Sequence, residues 1–218
     1  MTPARLIYVT DTYCIWCWAF GEALREFVAR NAGRLTLEVL PAGMLVGERV
    51  VPVGQKPRVL ETARRVTELT GARFGDGFRA SVERGKTVLD SGVSAAAFWA
   101  LHAQAPQRGL DIAHALQHAW YVDGRDLHDE AVVADVARAL NLDPARATSD
   151  VRRPETLAQS QAGFARRQTL PVEGYPTLLM QTPEGYRRLG GATTSAEKLQ
   201  QEFEAILHGE PEAQQATA

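Results

Sequence analysis

Leu6-Ile7-Tyr8-Val9-Thr10-Asp11-Thr12-Tyr13-Cys14-Ile15-Trp16-Cys17-Trp18 holds the only two cysteines of this 218-residue chain, three positions apart. Leu6 to Val9 is an apolar run that reads as a buried strand, and Asp11-Thr12 is a turn and helix-cap signal. Beyond the cysteines, Trp18, Phe20, Leu24 and Phe27 recur at helical spacing, so the pair sits where a helix begins.

Helix geometry gives the pair its chemistry. Residues i and i+3 are neighbours on one helix face, close enough to form a disulfide. In the first turn the leading cysteine meets the positive end of the helix dipole and unpaired backbone N–H groups, which favour a thiolate. Such motifs lower a thiol pKa from about 8.5 to roughly 3.5–7.5, and a value near 7 makes about half the molecules thiolate, against about 3% unperturbed. Cys14, nearer the helix start, is the expected nucleophile, and Cys17, one turn in, the resolving thiol. Three plainer readings compete. A structural disulfide at this spacing closes too short a loop to stabilise much. A zinc half-site needs two further ligands, which without a third cysteine must be histidines or carboxylates. The third reading is a chance pair of buried thiols.

Composition narrows the function classes. A hydrophobic share of 45% is ordinary for a globular chain that buries a substantial core. Basic and acidic residues nearly balance (24 and 26, net −2) with no basic run, so nothing points to nucleic acid or an anionic membrane. No apolar stretch approaches the roughly 20 residues that span a bilayer. The apolar run before Asp11 is only four residues long, Leu6 to Val9, where a secretory signal needs about 7–15. The expectation is therefore a cytoplasmic protein, in which a poise of roughly −220 to −320 mV keeps a dithiol reduced and favours reduction or isomerisation over net oxidation.

Along the chain, Leu35 to Leu40 alternates and then runs apolar, a second strand. Residues 41–57, with Gly43, Gly47, Gly54, Pro41, Pro52 and Pro57, read as a long irregular loop. From 57 to 168 the pattern is helical: Val59, Ala63, Val66 and Leu69 share a face that Gly71 ends. Ser94–Ala105, Leu110–Tyr121 and Asp129–Leu140 follow as helices, and Pro154 opens a segment running to Gln168. Strands resume at Thr177–Met180 and Tyr186–Leu189 around a Pro183-Glu184-Gly185 turn, and a closing helix runs from Ser195 to Leu207. The order β-α-β, helical block, α-β-β-α predicts an α/β chain with a thioredoxin-like fold and a large all-helical insertion between its halves. The boundaries expected are 1–56 with 155–208 for the thioredoxin-like domain, 57–154 for the insertion, and a disordered tail at 209–218.

Three stretches resemble the DsbA-like thioredoxin superfamily, in particular its cytoplasmic FrnE-like branch, which groups with 2-hydroxychromene-2-carboxylate isomerases and kappa-class glutathione transferases. Residues 11–18 are similar to that branch's D-x-x-C-x-W-C-[WY] opening. Residues 121–129 are similar to its aromatic-x-x-G-[RK]-[DN]-I-x-[DN] segment, and Val172-Glu173-Gly174-Tyr175-Pro176-Thr177-Leu178 to its V-x-G-[VF]-P-T-[LF] strand start. The resemblance implies Cys14 as attacking thiolate and Pro176 as a cis-proline whose loop faces the dithiol. It places Tyr175 beside the sulfur, Thr177 after it on the strand, and residues 41–45 near the cleft. Two departures stand out. Ile-Trp replaces the Pro-His of DsbA proper, so a strongly oxidising potential does not carry over. Tyr175 replaces a smaller residue and narrows or reshapes the cleft.

Tyr13, Trp16 and Trp18 around the thiols form a candidate apolar docking surface, with core packing as the plainer reading for Trp18. His114 and His118 have i, i+4 spacing, but no Glu lies between them, and Leu116 and Trp120 point to an ordinary helix, so no metal site is assigned. The segment holding His128 reads as a cap for the following helix. Together these readings predict a thiol–disulfide oxidoreductase acting on disulfide-containing proteins or small thiols. Its site is Cys14, Cys17 and Pro176, with Trp16, Tyr13, Tyr175 and Thr177 on the substrate. It needs no cofactor beyond an external pool, such as a low-molecular-weight thiol or thioredoxin, to recycle it. The rivals are a glutathione-dependent isomerase or transferase on small aromatic substrates, and a redox-independent chaperone or binding module. Nothing in the residues encodes an oligomeric state.

Overall fold

The structure, a computed structural model, describes residues 2–209. The opening apolar run forms β1 (Ala4–Thr10), and its last five residues are all buried. Then follow α1 (Ile15–Arg30) and β2 (Leu35–Pro41), which lies parallel to β1 from Ala4 opposite Leu35 to Thr10 opposite Pro41. The chain then leaves the sheet through β3 (Val51–Pro52), α2 (Val59–Thr70), α3 (Asp76–Arg84), β4 (Val88–Leu89), α4 (Ser91–His102), α5 (Gly109–Tyr121), α6 (Glu130–Ala139), α7 (Pro144–Val151) and α8 (Pro154–Gln168). It returns as β5 (Thr177–Thr182) and β6 (Gly185–Leu189), and closes with α9 (Ala196–Leu207). The four-stranded sheet runs β2-β1-β5-β6, with β5 antiparallel to both neighbours.

Strand alternation divides the core. Leu6, Tyr8, Leu178 and Met180 face one side, where Phe20, Leu24 and Phe27 of α1 and Phe203 of α9 cover them. Ile7, Val9 and Leu179 face the other side, in a cluster with Leu40 and Leu170. α8 packs against β2 and α4 at Gly163, where a β-carbon would make ordinary contact with Leu40 at 3.5 Å and Trp99 at 3.7 Å. Local chemistry sets the helix ends where the sequence places them. Ser195 caps α9 through the Lys198 N–H, Asp129 caps α6 through the Ala131 N–H, and Pro154 is the first residue of α8. Gly71 and Asn141 close α2 and α6 in left-handed conformations, at φ 75° and 56°.

The structure corrects several expectations. Residues 41–57 are not wholly irregular, because β3 pairs with β4 across the intervening helices. The inserted block is therefore not all-helical. The pairing depends on Gly54 and Gly85, whose backbones lie so close that a β-carbon on Gly54 would stand 2.9 Å from the Gly85 carbonyl oxygen. The helix expected from Ser94 begins at Ser91, because Asp90 accepts the Gly92 and Val93 N–H groups. Two short helices, α3 and α7, were not singled out. Residues 210–218 of the expected tail lie outside the described residues.

Candidate active site

Cys14 is the N-cap of α1, not its first helical residue. Its sulfur accepts the Cys17 N–H at 3.2 Å, while its carbonyl accepts the Cys17 and Trp18 N–H groups at 3.0 and 3.1 Å. Both cysteines are free thiols and both are buried. The helix start thus puts a backbone donor on the leading sulfur, as the spacing predicts, but burial opposes it. Burial, followed by the neighbouring Cys17 thiol, pushes the Cys14 thiol well above its ordinary value, and the Cys17 N–H pulls only part of the way back. The expected lowering is therefore corrected. Asp11 is the only charged side chain among the named influences, and its charge also raises the thiol. Beneath the pair, the Tyr8 hydroxyl donates to the Cys17 carbonyl at 3.3 Å.

Asp11, expected as a turn and cap residue, does something else. It is 3% exposed, and its carboxylate gathers three segments. Oδ1 accepts the Tyr13 N–H at 3.0 Å and the Ser91 hydroxyl at 2.9 Å, and Oδ2 accepts the Met44 N–H at 2.8 Å. Ser91 in turn accepts the Leu45 N–H at 2.9 Å and donates its own N–H to the Leu45 carbonyl at 2.8 Å. Gln117 of α5 donates to the Asp11 carbonyl at 3.3 Å. The dithiol loop, the segment after β2 and the first turn of α4 are thereby held on one buried carboxylate. Burial pushes that carboxyl above its ordinary value, against the pull of these donors and of Arg49.

The strand register brings Pro176 to the same end of the sheet as the dithiol. Thr177 stands opposite Val9, one residue before the end of β1, and Cys14 follows four residues after that end. The Tyr175–Pro176 peptide bond is cis. Thr177 is 1% exposed and its hydroxyl donates to the Gly174 carbonyl at 2.7 Å, so its side chain holds the loop and does not face a substrate. Tyr175 is half-buried with the Arg167 guanidinium 5.3 Å from its ring centre. Trp18 takes the packing role: its indole stacks on His114 at 5.0 Å and on Tyr121 at 6.0 Å, and donates to the Arg73 carbonyl at 3.0 Å. His114 is consumed in that stack, and burial, then Arg25, pushes its pKa down to about 4. His118 pairs with Asp123 at 3.3 Å. Trp16 is half-buried against the core.

Tyr13 departs furthest from its expected place. It is 6% exposed, edge-on to Trp120 at 6.0 Å, and not part of an external docking surface. It lines a cavity of about 340 Å³ beside the dithiol, walled by Ile15, Met44, Val59 of α2, Phe78 of α3 and Trp120 of α5. Lys56 and Thr62 are its polar additions. Sequence reasoning missed Tyr8, Ser91, Gln117 and this cavity. No local pattern marks them: Ser91 and Gln117 meet Asp11 from 80 and 106 positions away, and Tyr8 reads only as one more apolar residue of its strand.

A sheet-end dithiol at a helix start, a proline loop beside it and a helical block between the two halves define a thioredoxin-like protein with a helical insertion. More particularly, the chain belongs to the DSBA-like thioredoxin domain family, whose profile matches residues 5–204. Among solved structures it is similar to a candidate protein disulfide isomerase from Nitrosomonas europaea, at 20% identity over 96% of this chain and 100% of that one, with a TM-score of 0.80. It is also similar to the cytosolic disulfide reductase DsbM from Pseudomonas aeruginosa, at 23% identity over 94% and 98% of the two chains, with a TM-score of 0.79; that protein is also solved with GSH. A 2-hydroxychromene-2-carboxylate isomerase shares the fold at 14% identity over 94% and 95%, with a TM-score of 0.61. Comparison with curated proteins finds no match.

Proposed function

We propose that the protein is a thiol–disulfide oxidoreductase of the reductase or isomerase type, with Cys14 as nucleophile and Cys17 as resolving thiol. The observation that carries the reading is the pair itself: two free thiols one helical turn apart, the first at the N-cap with a backbone N–H on its sulfur. Deprotonated Cys14 attacks one sulfur of a substrate disulfide. A Cys14–substrate disulfide forms, and the other substrate sulfur leaves as a thiolate that takes up a proton. Cys17 then attacks the Cys14 sulfur and releases the second substrate thiol. Two electrons pass to the substrate and a Cys14–Cys17 disulfide remains, which an external thiol reduces. A low-molecular-weight thiol suits that last step, a reading supported by the likeness to DsbM, whose structure with GSH is known. Membership of the DSBA-like family and the fold shared with a cytosolic disulfide reductase also support it, as does the Ile-Trp dipeptide between the cysteines. No described helix is long and apolar enough to cross a membrane. With residues 1–56 and 155–208 taken as the thioredoxin-like unit, the dithiol and Pro176 belong to it, and Val59, Phe78 and Trp120 of the cavity belong to the inserted 57–154.

The test is disulfide reduction and scrambled-substrate refolding, with the protein held reduced by a thiol pool. Wild type turns over and Cys14→Ser does not. Equal activity in the two proteins overturns the reading, and so does glutathione-dependent turnover of an aromatic substrate that survives Cys17→Ser.

A further inference from the structure

The cavity beside the dithiol has no part in the electron transfer just described, yet it opens against Ile15, the residue next to the nucleophile. Its volume of about 340 Å³ is at the lower end of the roughly 300–1,000 Å³ of small-molecule sites, a size that suits one large side chain better than a cofactor. The walls are mostly aliphatic and aromatic, and beside Thr62 two polar groups stand out. Tyr13 is more than nine-tenths buried, and its hydroxyl has no hydrogen-bond partner; the Asp90 backbone N–H approaches it without hydrogen-bond geometry. A buried hydroxyl without an acceptor is costly, so it marks a place where a ligand atom belongs. Lys56 lines the same cavity, and its ammonium forms no ion pair or hydrogen bond among the described residues.

We propose that this cavity is a specificity pocket that receives one aromatic side chain of a disulfide-bonded polypeptide, a tyrosine next to the substrate cysteine, with Lys56 meeting a carboxylate beside it. The proposal rests on the oxidoreductase reading and names its substrate class. The tyrosine ring replaces water against the apolar walls, its hydroxyl oxygen accepts from Tyr13, and the acidic neighbour pairs with the free ammonium. Such docking holds the substrate sulfur near Cys14 and discriminates by the residue next to it.

The experiment uses homodimeric disulfides of the peptide Gly-Cys-X-Glu-Gly, with X as Tyr, Leu, Gly or Lys, and reads kcat/KM for thiol release. The Tyr peptide is expected to exceed the Gly peptide by about 10- to 150-fold, the range for burying one large apolar side chain. Val59→Trp, which fills the cavity from α2, is expected to collapse the Tyr-to-Gly ratio towards one. Thr62→Trp, one turn further along α2, obstructs the same space and serves if Val59→Trp does not fold. Compared on the Tyr peptide and its counterpart Gly-Cys-Tyr-Lys-Gly, wild type is expected to prefer Glu over Lys after the tyrosine, and Lys56→Glu to reverse that preference. Equal rates for all four peptides, still dependent on Cys14, overturn the pocket and leave the oxidoreductase reading standing. A Tyr preference untouched by filling the cavity also overturns it. Turnover of none of the peptides, nor of any other disulfide, overturns both.

Discussion

Replacing Asp11 by alanine removes the one acceptor shared by the dithiol loop, the segment after β2 and the first turn of α4. Two backbone donors lose their partner, the buried Tyr13 N–H at 3.0 Å and the part-buried Met44 N–H at 2.8 Å. The Ser91 hydroxyl can turn elsewhere, so it adds little. At about 1–3 kcal/mol for each orphaned donor, Asp11→Ala costs about 2–6 kcal/mol. For a chain of this size that is a fall in Tm of about 4–24 °C. Asp11→Asn keeps the oxygen that serves Tyr13 and Ser91 and loses only the Met44 donor, about 1–3 kcal/mol, partly offset by removing a buried charge. The two variants also separate charge from contact. Burial raises the Asp11 carboxyl in the folded state, so its contribution to stability is fully present below the ordinary carboxylate value. It is lost as pH rises through the folded-state value. Wild type therefore loses stability relative to Asp11→Asn as pH climbs from about 4 through the raised folded-state value. Thermal unfolding of the three proteins across that range reads both effects. A Tm for Asp11→Ala within 2 °C of wild type, or a pH-independent gap to Asp11→Asn, refutes the reasoning.

Three further outcomes follow from the same geometry. Cys17→Ser leaves the nucleophile without its resolving thiol, so incubation with a peptide disulfide accumulates the Cys14 mixed disulfide, seen by intact mass; free protein after turnover contradicts the assigned roles. Burial and the Cys17 thiol raise the Cys14 thiol, so its alkylation by iodoacetamide accelerates with pH through and beyond the ordinary thiol value of about 8.5. A rate already level below pH 7 contradicts that direction. Gly124→Ala puts a β-carbon 1.9 Å from the Gly77 carbonyl oxygen at a φ of +65°, a cost of at least about 3 kcal/mol read as lost Tm or lost folded yield.

The elements that were legible in advance are those whose ends are set by local chemistry. Ser195, Asp129, Pro154 and Gly71 act within a turn of themselves, so the sequence around each suffices. The β3–β4 ladder was not legible, because two residues a side carry no period and the pairing depends on Gly54 meeting Gly85 from another part of the chain. The same division runs through the site. Cys14, Cys17 and Pro176 stand out in the sequence because each is marked by its own residue type and its immediate neighbours. Asp11 reads as a turn and cap residue because Asp-Thr ahead of a helical run is the local signal for one. Its partner Ser91 stands 80 positions on, and the cap itself is the sulfur of Cys14. Tyr13 was read as exposed, since nothing near it in sequence announces that Trp120 covers it.

The environment of Cys14 bears on the direction of electron flow. A dithiol becomes an oxidant when its reduced form is stabilised as a thiolate. Each unit by which the nucleophile's pKa falls below the assay pH raises the potential by about 30 mV. Thioredoxin and DsbA illustrate the scale: pKa values of about 7 and 3.5 account for about 105 mV of the roughly 150 mV between their potentials of about −270 and −120 mV. Cys14 has no cationic side chain among the groups that influence it, a carboxylate in Asp11, and burial that raises it. A thiol protonated at pH 7 adds nothing to the potential by this route, so the pair is expected at about −270 mV or below. Equilibration with glutathione buffers, followed by thiol trapping and mass measurement, gives the value. A potential near −120 mV means that some group stabilises the Cys14 thiolate in solution. In that case the burial seen around it does not govern its chemistry, and the reductase direction falls with it.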